Sequence, residues 1–350
     1  MSPEALDAFL GRFVGDFGAA LAGANIIVGD RLGLYRALWA TAPATAAAVA
    51  AEAHCDERHV REWLLGQAAG GYVSYDADAD RFSLTPEQAA CLADDESPTF
   101  LPGAFQLAAS LYKDEDRLVD AVRTGEGMGW HEHHPDLFEG TDRFFRPGYT
   151  ANLVDSWIPA LDGVEAKLRS GASVADVGCG LGSSTIIMAQ AFPQSSFVGF
   201  DYHEESIQAA REAAQAAGVA DRVRFEVAPA AEFGGEDYDL VCMFDCLHDM
   251  GDPVGASAHV REALAHDGTW LVVEPAATDS VRENLNPVGR VFYNASTLIC
   301  TPASKAQEVG LALGAQAGPG RLREVISEGG FSRFRVATTT PFNLVIEARP

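Results

Sequence analysis

An α/β fold, with a largely parallel sheet behind an all-helical N-terminal region that holds one small hairpin, is what this 350-residue sequence predicts. Three observations predict it. From Val174 onward, short apolar runs of strand length alternate with stretches of helical periodicity. A cluster of glycines stands on the first strand-to-helix turn of that alternation. Before it, residues 1–95 show three- and four-residue apolar spacing, interrupted by a single pair of strand-like stretches. We therefore expect a helical N-terminal domain over residues 1–95, a helical segment over 96–170 that contributes to a ligand pocket, and a sheet domain over 171–350.

Composition narrows the function classes. With 47% hydrophobic and 21% charged residues, the chain has the balance of a globular protein. Its 50 acidic residues outnumber 25 basic ones, and a formal net charge of -25 repels a phosphate backbone, so nucleic acid is not an expected partner. Cys55, Cys91, Cys179, Cys242, Cys246 and Cys300 include no C-x-x-C pair and suggest no disulfide framework, from which a cytoplasmic protein is expected. No basic stretch leads into an apolar core at the N-terminus, and no uninterrupted apolar run nears about 18 residues. Neither an export signal nor a membrane span is expected.

Taken in order, Ser2 and Pro3 read as an N-cap and first helical position, and Leu6, Phe9, Leu10, Phe13, Phe17 and Leu21 then recur on one helical face. Gly11, Gly15 and Gly18 would let another helix approach closely. A dimer partner is the expected cover for that face, with packing inside the subunit as the alternative. From about Ala24 to Leu92 the outline is that of a winged helix: a helix through Leu32, Tyr35, Leu38 and Trp39, an alanine-rich helix from Thr45, and a third opened by Asp56 with Val60, Trp63 and Leu64 inward. Tyr72–Tyr75 and Arg81–Leu84 read as a hairpin around a polar turn. A third helix of this kind can read DNA, yet here Asp56, Glu57 and Glu62 flank Arg58 and Arg61, and the hairpin tip carries three aspartates. Asp94–Pro102, acidic and proline-bearing, reads as a boundary. Beyond it, WHEHHP at Trp130–Pro135 brings His131, His133 and His134 together. Two are adjacent and none forms an i, i+4 pair, so a polar inter-domain loop is the first reading, a pocket-lining histidine the second and a metal ligand the third.

The glycine cluster is Ala175–Gly182, ADVGCGLG, between the apolar run Val174–Val177 and a helix from Ser183. Gly178, Gly180 and Gly182 remove side chains where a backbone turns tightly and a ligand approaches. The spacing is G-x-G-x-G; a dinucleotide fingerprint would require glycine where Ser183 stands. Asp201 ends the next apolar run, roughly 20 positions further on, where a carboxylate accepts hydrogen bonds from a ribose. Asp176 adds a second negative charge near the turn. That charge would repel a diphosphate and attract a ligand bearing a sulfonium and an ammonium, which favours S-adenosylmethionine over a nicotinamide dinucleotide. An ordinary tight turn is the alternative for the glycines alone.

ADVGCGLG followed by FVGFD resembles the cofactor motifs of class I S-adenosylmethionine-dependent methyltransferases. The N-terminal portion and FDCLHDMGDP at Phe244–Pro253 further resemble the winged-helix-fused small-molecule methyltransferases of actinobacteria, relatives of the O-methyltransferases. The resemblance covers nearly the whole chain, including the tail Asn286–Pro350. It implies a Rossmann-like class I methyltransferase sheet closed by a hairpin from Phe331–Thr339 and Phe342–Ala348, an N-terminal winged-helix dimerisation domain, and a homodimer acting on a small molecule. For the cofactor it implies Asp176, Gly178, Cys179, Gly180, Gly182, Asp201, Tyr202, Phe244 and Asp245. Tyr149, in RFFRPGY, stands where relatives cover the cofactor's methionine end. Relatives often carry an acid after the third strand that reads adenine; this chain has Ala228, Pro229 and Ala230, so backbone groups and Phe233 are the expected adenine contacts.

Methyl transfer from a sulfonium is an in-line displacement, which requires an aligned acceptor and, for a hydroxyl, removal of its proton. His248, just past the fourth strand, is the candidate base, since imidazole titrates near neutral pH; loop capping is the alternative. In the resembling O-methyltransferases the histidine of the His-Asp dipeptide is the base and a carboxylate after the fifth strand orients it, the position that Glu274 occupies here. A second carboxylate usual in those enzymes has no counterpart, because Gly320–Glu328 offers Arg321 and Arg323 with Glu324 out of register. O-methylation is the expected activity, and C- or N-methylation of a carboxylate-bearing acceptor is the alternative. Relatives that methylate carbon beside a 2-oxo acid hold a metal partly by histidine; none follows His266, and no metal is expected. Outside the class, a nicotinamide oxidoreductase is opposed by Ser183 and a winged-helix regulator by the net charge.

Overall fold

The computed structural model describes residues 1–350, and they fall into two units: Met1–Lys113 with Pro135–Gly148, and Asp114–His134 with Tyr149–Pro350. The segment 96–170, expected to form one linker, is shared between them.

In the first unit the Ser2 hydroxyl accepts from the Ala5 amide and Pro3 opens a helix, as expected, but that helix runs unbroken to Arg31. The sequence reading divided it near Ala24. Its two halves differ in environment: every residue from Met1 to Leu21 is exposed, whereas Ile26 and Gly29 are buried. A Cβ on Gly29 would lie 2.2 Å from the Trp63 ring, and the Trp63 indole donates to the Asn25 carbonyl at 2.8 Å. Helices Leu34–Thr41, Ala46–Glu52 and Glu57–Ala69 follow, the last two capped by Thr45 and Asp56. Tyr35, Leu38, Val49, Val60, Leu64 and Phe82 form their core. Strands β1 (Ser74–Asp76) and β2 (Arg81–Ser83) make the antiparallel wing, with Tyr75 opposite Phe82. On the third helix Arg58 pairs with Glu62 at 2.5 Å, and Arg61 reaches Asp80 of the wing at 3.0 Å.

The second unit holds the sheet. Its strands are β3 (Ser173–Val177), β4 (Ser196–Asp201), β5 (Val223–Val227), β6 (Tyr238–Phe244), β7 (Leu264–Pro275), β8 (Arg333–Thr339) and β9 (Asn343–Arg349), in spatial order β5-β4-β3-β6-β7-β9-β8. The first five are parallel and β9 is antiparallel to both neighbours, so the expected terminal hairpin closes the sheet. β7 starts earlier than its apolar run Thr269–Glu274 suggests, because Leu264 pairs with Tyr238 before a register shift. No helix forms between β5 and β6, where a turn is closed by the Glu232 amide on the Pro229 carbonyl. Helices Ser183–Ala191, Glu204–Ala216 and Pro253–Ala263 cross over between strands, the last capped by the Asp252 side chain, which accepts from the Gly255 amide. Val177, Phe200, Val241, Met243, Val272 and Ile346 pack in one central cluster. Strand order reverses between β3 and β6, and the crevice outside the carboxyl ends of those strands is where such sheets bind ligands.

Candidate active site

Gly178, Gly180 and Gly182 turn the chain out of β3 with φ of +76°, +52° and +83°, a region that side chains disfavour. Their surroundings separate their roles. A Cβ at Gly178 would lie 2.7 Å from Cys246 Sγ and one at Gly182 2.6 Å from the Phe225 ring, whereas at Gly180 nothing stands within 4 Å. Two of the glycines permit close packing, and the middle one leaves open space. The Gly178 and Cys179 amides both donate to the Phe200 carbonyl, and the Cys179 side chain is buried, so Cys179 contributes backbone shape. Asp201 ties this loop to the end of β4: its two carboxylate oxygens accept from the Gly180 amide at 3.0 Å and the His203 amide at 2.9 Å. Asp176, fully buried on β3, accepts from the Ser184 and Thr185 hydroxyls at 2.6 Å through one oxygen, and its other oxygen has no protein partner. Burial pushes the Asp176 carboxyl up to about 6 against the two hydroxyls, and burial raises Asp201 as well.

The opposite wall comes from the ends of β6 and β7. Immediately after Phe244 the chain turns left-handed at Asp245, φ +52°, an unusual conformation for a residue with a side chain. Its amide donates to the Val273 carbonyl at 2.7 Å, while the Tyr149 hydroxyl and the Asn343 amide donate to its carboxylate at 3.3 and 3.2 Å. The Tyr149 ring packs 5.4 Å from Phe244 and 6.0 Å from Trp157. Burial, reinforced by the nearby Glu274 carboxylate, raises Asp245 to about 8. One turn later lies Leu247–Asp249, where His248 Nδ1 stands 2.6 Å from Glu274 Oε2 and the other Glu274 oxygen accepts from the Leu247 amide at 3.0 Å. Burial pushes the imidazole down, but the Glu274 carboxylate and the Cys300 sulfur outweigh it and hold His248 well above its ordinary range. The remaining nitrogen, Nε2, faces Cys300 Sγ at 3.2 Å. Asp249 rises to about 7, chiefly by burial.

The expected residues Asp176, Gly178, Gly180, Gly182, Asp201, Phe244, Asp245, His248, Glu274 and Tyr149 thus gather at one rim of the sheet. Tyr202 borders it, 44% exposed, with its ring edge-on to His131 at 6.0 Å. Other expectations need correction. Phe233 is 2% exposed and packed between Phe200, Tyr238 and His259, so it is a core residue and not an adenine platform. WHEHHP is not a plain polar loop: Trp130–Glu132 is a 3-10 turn, and His133 is buried with Nδ1 3.1 Å from Asp114. With His131 turned to Tyr202 and His133 to Asp114, the histidines do not converge on a metal position. Arg321 pairs with Glu324 on the surface and Arg323 lies over the Phe334 ring. Sequence reading missed Cys300, Asn343 and Trp157, which lie far from any motif and contact His248, Asp245 and Tyr149 respectively.

Comparison with known proteins agrees with the fold. Residues 168–314 match the family model described as a methyltransferase domain, and residues 19–94 match the Rv2258c-like winged HTH domain. A 27-O-demethylrifamycin SV methyltransferase of Amycolatopsis mediterranei is 32% identical over 131 residues, 35% of this chain; the match spans 48% of that relative's length. The mitomycin 7-O-methyltransferase structure superposes with a TM-score of 0.68 at 22% identity, covering 99% of this chain and all of the other. Human N-acetylserotonin methyltransferase, solved in complex with SAM, superposes with a TM-score of 0.68 at 19% identity over 97% of each chain. These two likenesses carry the fold. The chain thus carries a methyltransferase domain behind an N-terminal Rv2258c-like winged helix-turn-helix domain, and it has the class I methyltransferase fold.

Proposed function

We propose that this protein transfers a methyl group from S-adenosylmethionine to an oxygen of a small molecule, with His248 as general base. The observation that carries the reading is a buried acidic rim short of countercharge, facing an imidazole oriented by Glu274. Asp176, Asp201, Asp245 and Asp249 all have carboxyls raised by burial, and a ligand carrying ammonium and sulfonium charges would relieve them. The unpartnered oxygen of Asp176 suits an ammonium, the open space at Gly180 suits close approach of a ligand, and Asp201 keeps acceptor capacity for ribose hydroxyls. A dinucleotide's diphosphate would meet the same negative charges, which disfavours the oxidoreductase reading.

When bound, the cofactor supplies an electrophilic methyl on a positive sulfur. The chain's part is to align the acceptor and move a proton. Glu274 accepts a hydrogen bond from Nδ1–H of His248, which leaves the Nε2 lone pair to take the acceptor's hydroxyl proton, and burial of the pair keeps bulk water from competing.

A homodimer formed through the N-terminal unit belongs to this proposal. Phe9, Phe13, Phe17 and Leu21 are 57–64% exposed along one helix, and Gly11, Gly15 and Gly18 have nothing within 4 Å of a Cβ, which suits a second helix. Pairing of Arg58 and Arg61 with acids supports a winged helix used for assembly and not for phosphates. By length and composition alone the Pro3–Arg31 helix is also long and apolar enough to cross a membrane.

Calorimetry on the purified protein tests the cofactor. S-adenosylmethionine should bind while NAD and NADP do not. Positive ligand charge favours ionised carboxylates, so binding should release protons, and affinity should rise with pH between about 6 and 8, where Asp176, Asp249 and Asp245 titrate. Saturable NAD binding with none for S-adenosylmethionine would overturn the class.

A further inference from the structure

Three side chains from three elements meet around the His248 ring. Cys300 closes the π-helical turn Ser296–Cys300, and its Sγ lies 3.2 Å from His248 Nε2. Across the ring, Nδ1 is 2.6 Å from Glu274 Oε2, and Glu274 is itself fixed by the Leu247 amide. All three are buried, Cys300 at 7%, His248 at 4% and Glu274 at 1% exposure. A thiol within bonding reach of a base, with the base oriented by a third group, is the arrangement that activates a nucleophile. The other thiols are placed differently. Cys55 donates to the Ala53 carbonyl and Cys246 to the Val177 carbonyl, while burial holds Cys179 and Cys242 protonated.

We propose that Cys300 is an activated nucleophile served by His248 and Glu274, and thus a covalent-modification site for soft electrophiles and peroxides set against the base's own proton-accepting nitrogen. Towards a haloacetamide, Sγ gives up its proton, to Nε2 where the ring is neutral and to water where it is already the imidazolium that favours the thiolate; its electron pair forms the sulfur–carbon bond, and the halide leaves with the electrons of the broken carbon–halogen bond. Towards hydrogen peroxide, Sγ attacks one oxygen and the O–O bond breaks. Sulfur is oxidised to the sulfenic acid, peroxide is reduced, and the departing hydroxide takes the imidazolium proton as water. Either product sets a substituent against Nε2, so modification also blocks the base. The charged and titratable groups facing the ring are Glu274 from β7 and Cys300 from the π-helical turn, with Asp245 and Asp249 from the chain on either side of it.

Timed iodoacetamide labelling of the native protein at pH 6, read by peptide mass spectrometry, tests this. An unassisted thiol is a fraction of a percent thiolate at that pH, so Cys300 should react about tenfold faster than the half-buried Cys55 and Cys91. Glu274→Gln, which keeps the side chain's shape, should bring its rate toward theirs, as should His248→Ala. Labelling of Cys300 no faster than Cys55 would overturn the proposal, and so would fast labelling that survives both substitutions. The readout needs neither cofactor nor acceptor, so its failure is distinguishable from failure of the methyl-transfer reading.

Discussion

Replacing Glu274 by glutamine keeps the side chain's size and removes a charge whose oxygen lies 2.6 Å from the His248 ring. Two effects follow, and they can be measured separately. The first is electrostatic. Unit charges about 4 Å apart at an effective dielectric of about 20 interact by roughly 4 kcal/mol, about three pKa units, and opposite-charge neighbours generally move a group by about one to three. His248 lies above its ordinary range in the wild type, and only its neutral form accepts a proton, so the rate should fall as pH drops through that raised value. Glu274→Gln should shift the acid limb to lower pH by about one to three units. The second effect concerns the tautomer. A carboxylate can only accept from Nδ1–H, whereas a carboxamide nitrogen turned to the ring donates and places the imidazole proton on Nε2, which can then no longer act as base. Turnover should fall by about a hundred- to ten-thousandfold even at the new optimum. Initial rates of demethylated cofactor formation from pH 5.5 to 9.5, with cofactor affinity measured alongside, give both quantities. An unmoved or upward-moved limb together with full turnover would refute the base assignment.

Asp201→Ala removes the acceptor for the Gly180 and His203 amides as well as the proposed ribose contact, so cofactor affinity should drop about ten- to a hundredfold. Unchanged affinity by calorimetry would take Asp201 out of the site. Gly182→Ala forces a Cβ to 2.6 Å from the Phe225 ring at φ +83° and should cost about 1 to 3 kcal/mol of stability, whereas Gly180→Ala meets open space and should weaken cofactor binding more than it lowers the melting temperature. Equal thermal losses without an affinity difference would contradict the division of roles. Deleting residues through Leu21 should convert a dimer to monomer or aggregate in light scattering; a well-behaved dimer would place the interface elsewhere, and recovery of the intact chain in detergent micelles alone would favour a membrane.

Much of this was legible in the sequence because it depends on short-range rules. The strand–glycine–helix turn at Val174–Ser183, the acid at the next strand end and the cap at Asp252 each leave a local pattern, and each holds in the structure. What failed depends on facing. Phe233 follows a strand just as a pocket residue would, but its ring turns to Phe200 and His259, and nothing in the spacing records that turn. Arg321 and Arg323 were placed on the right helix, Pro319–Glu328, while their partners Glu324 and Phe334 lie on its outer side and on β8. Cys300 and Asn343 reach the site from the π-helical turn and β9, across sequence separations at which a single chain offers no periodicity to read.

The unbroken Pro3–Arg31 helix has one further consequence. Its C-terminal half is anchored against Trp63, so the costly nucleation step is already met and the arm has only to propagate. Propagation there is weak: Gly11, Gly15 and Gly18 each cost about 1 kcal/mol relative to alanine, and no burial of Met1–Leu21 offsets that cost within the chain. The arm of a lone subunit therefore stands close to its helix–coil balance, while a partner laid along Phe9, Phe13 and Phe17 would tip it to full helix. In the proposed dimer the helicity of those first turns would depend on protein concentration, so that folding of the arm and assembly would be one equilibrium.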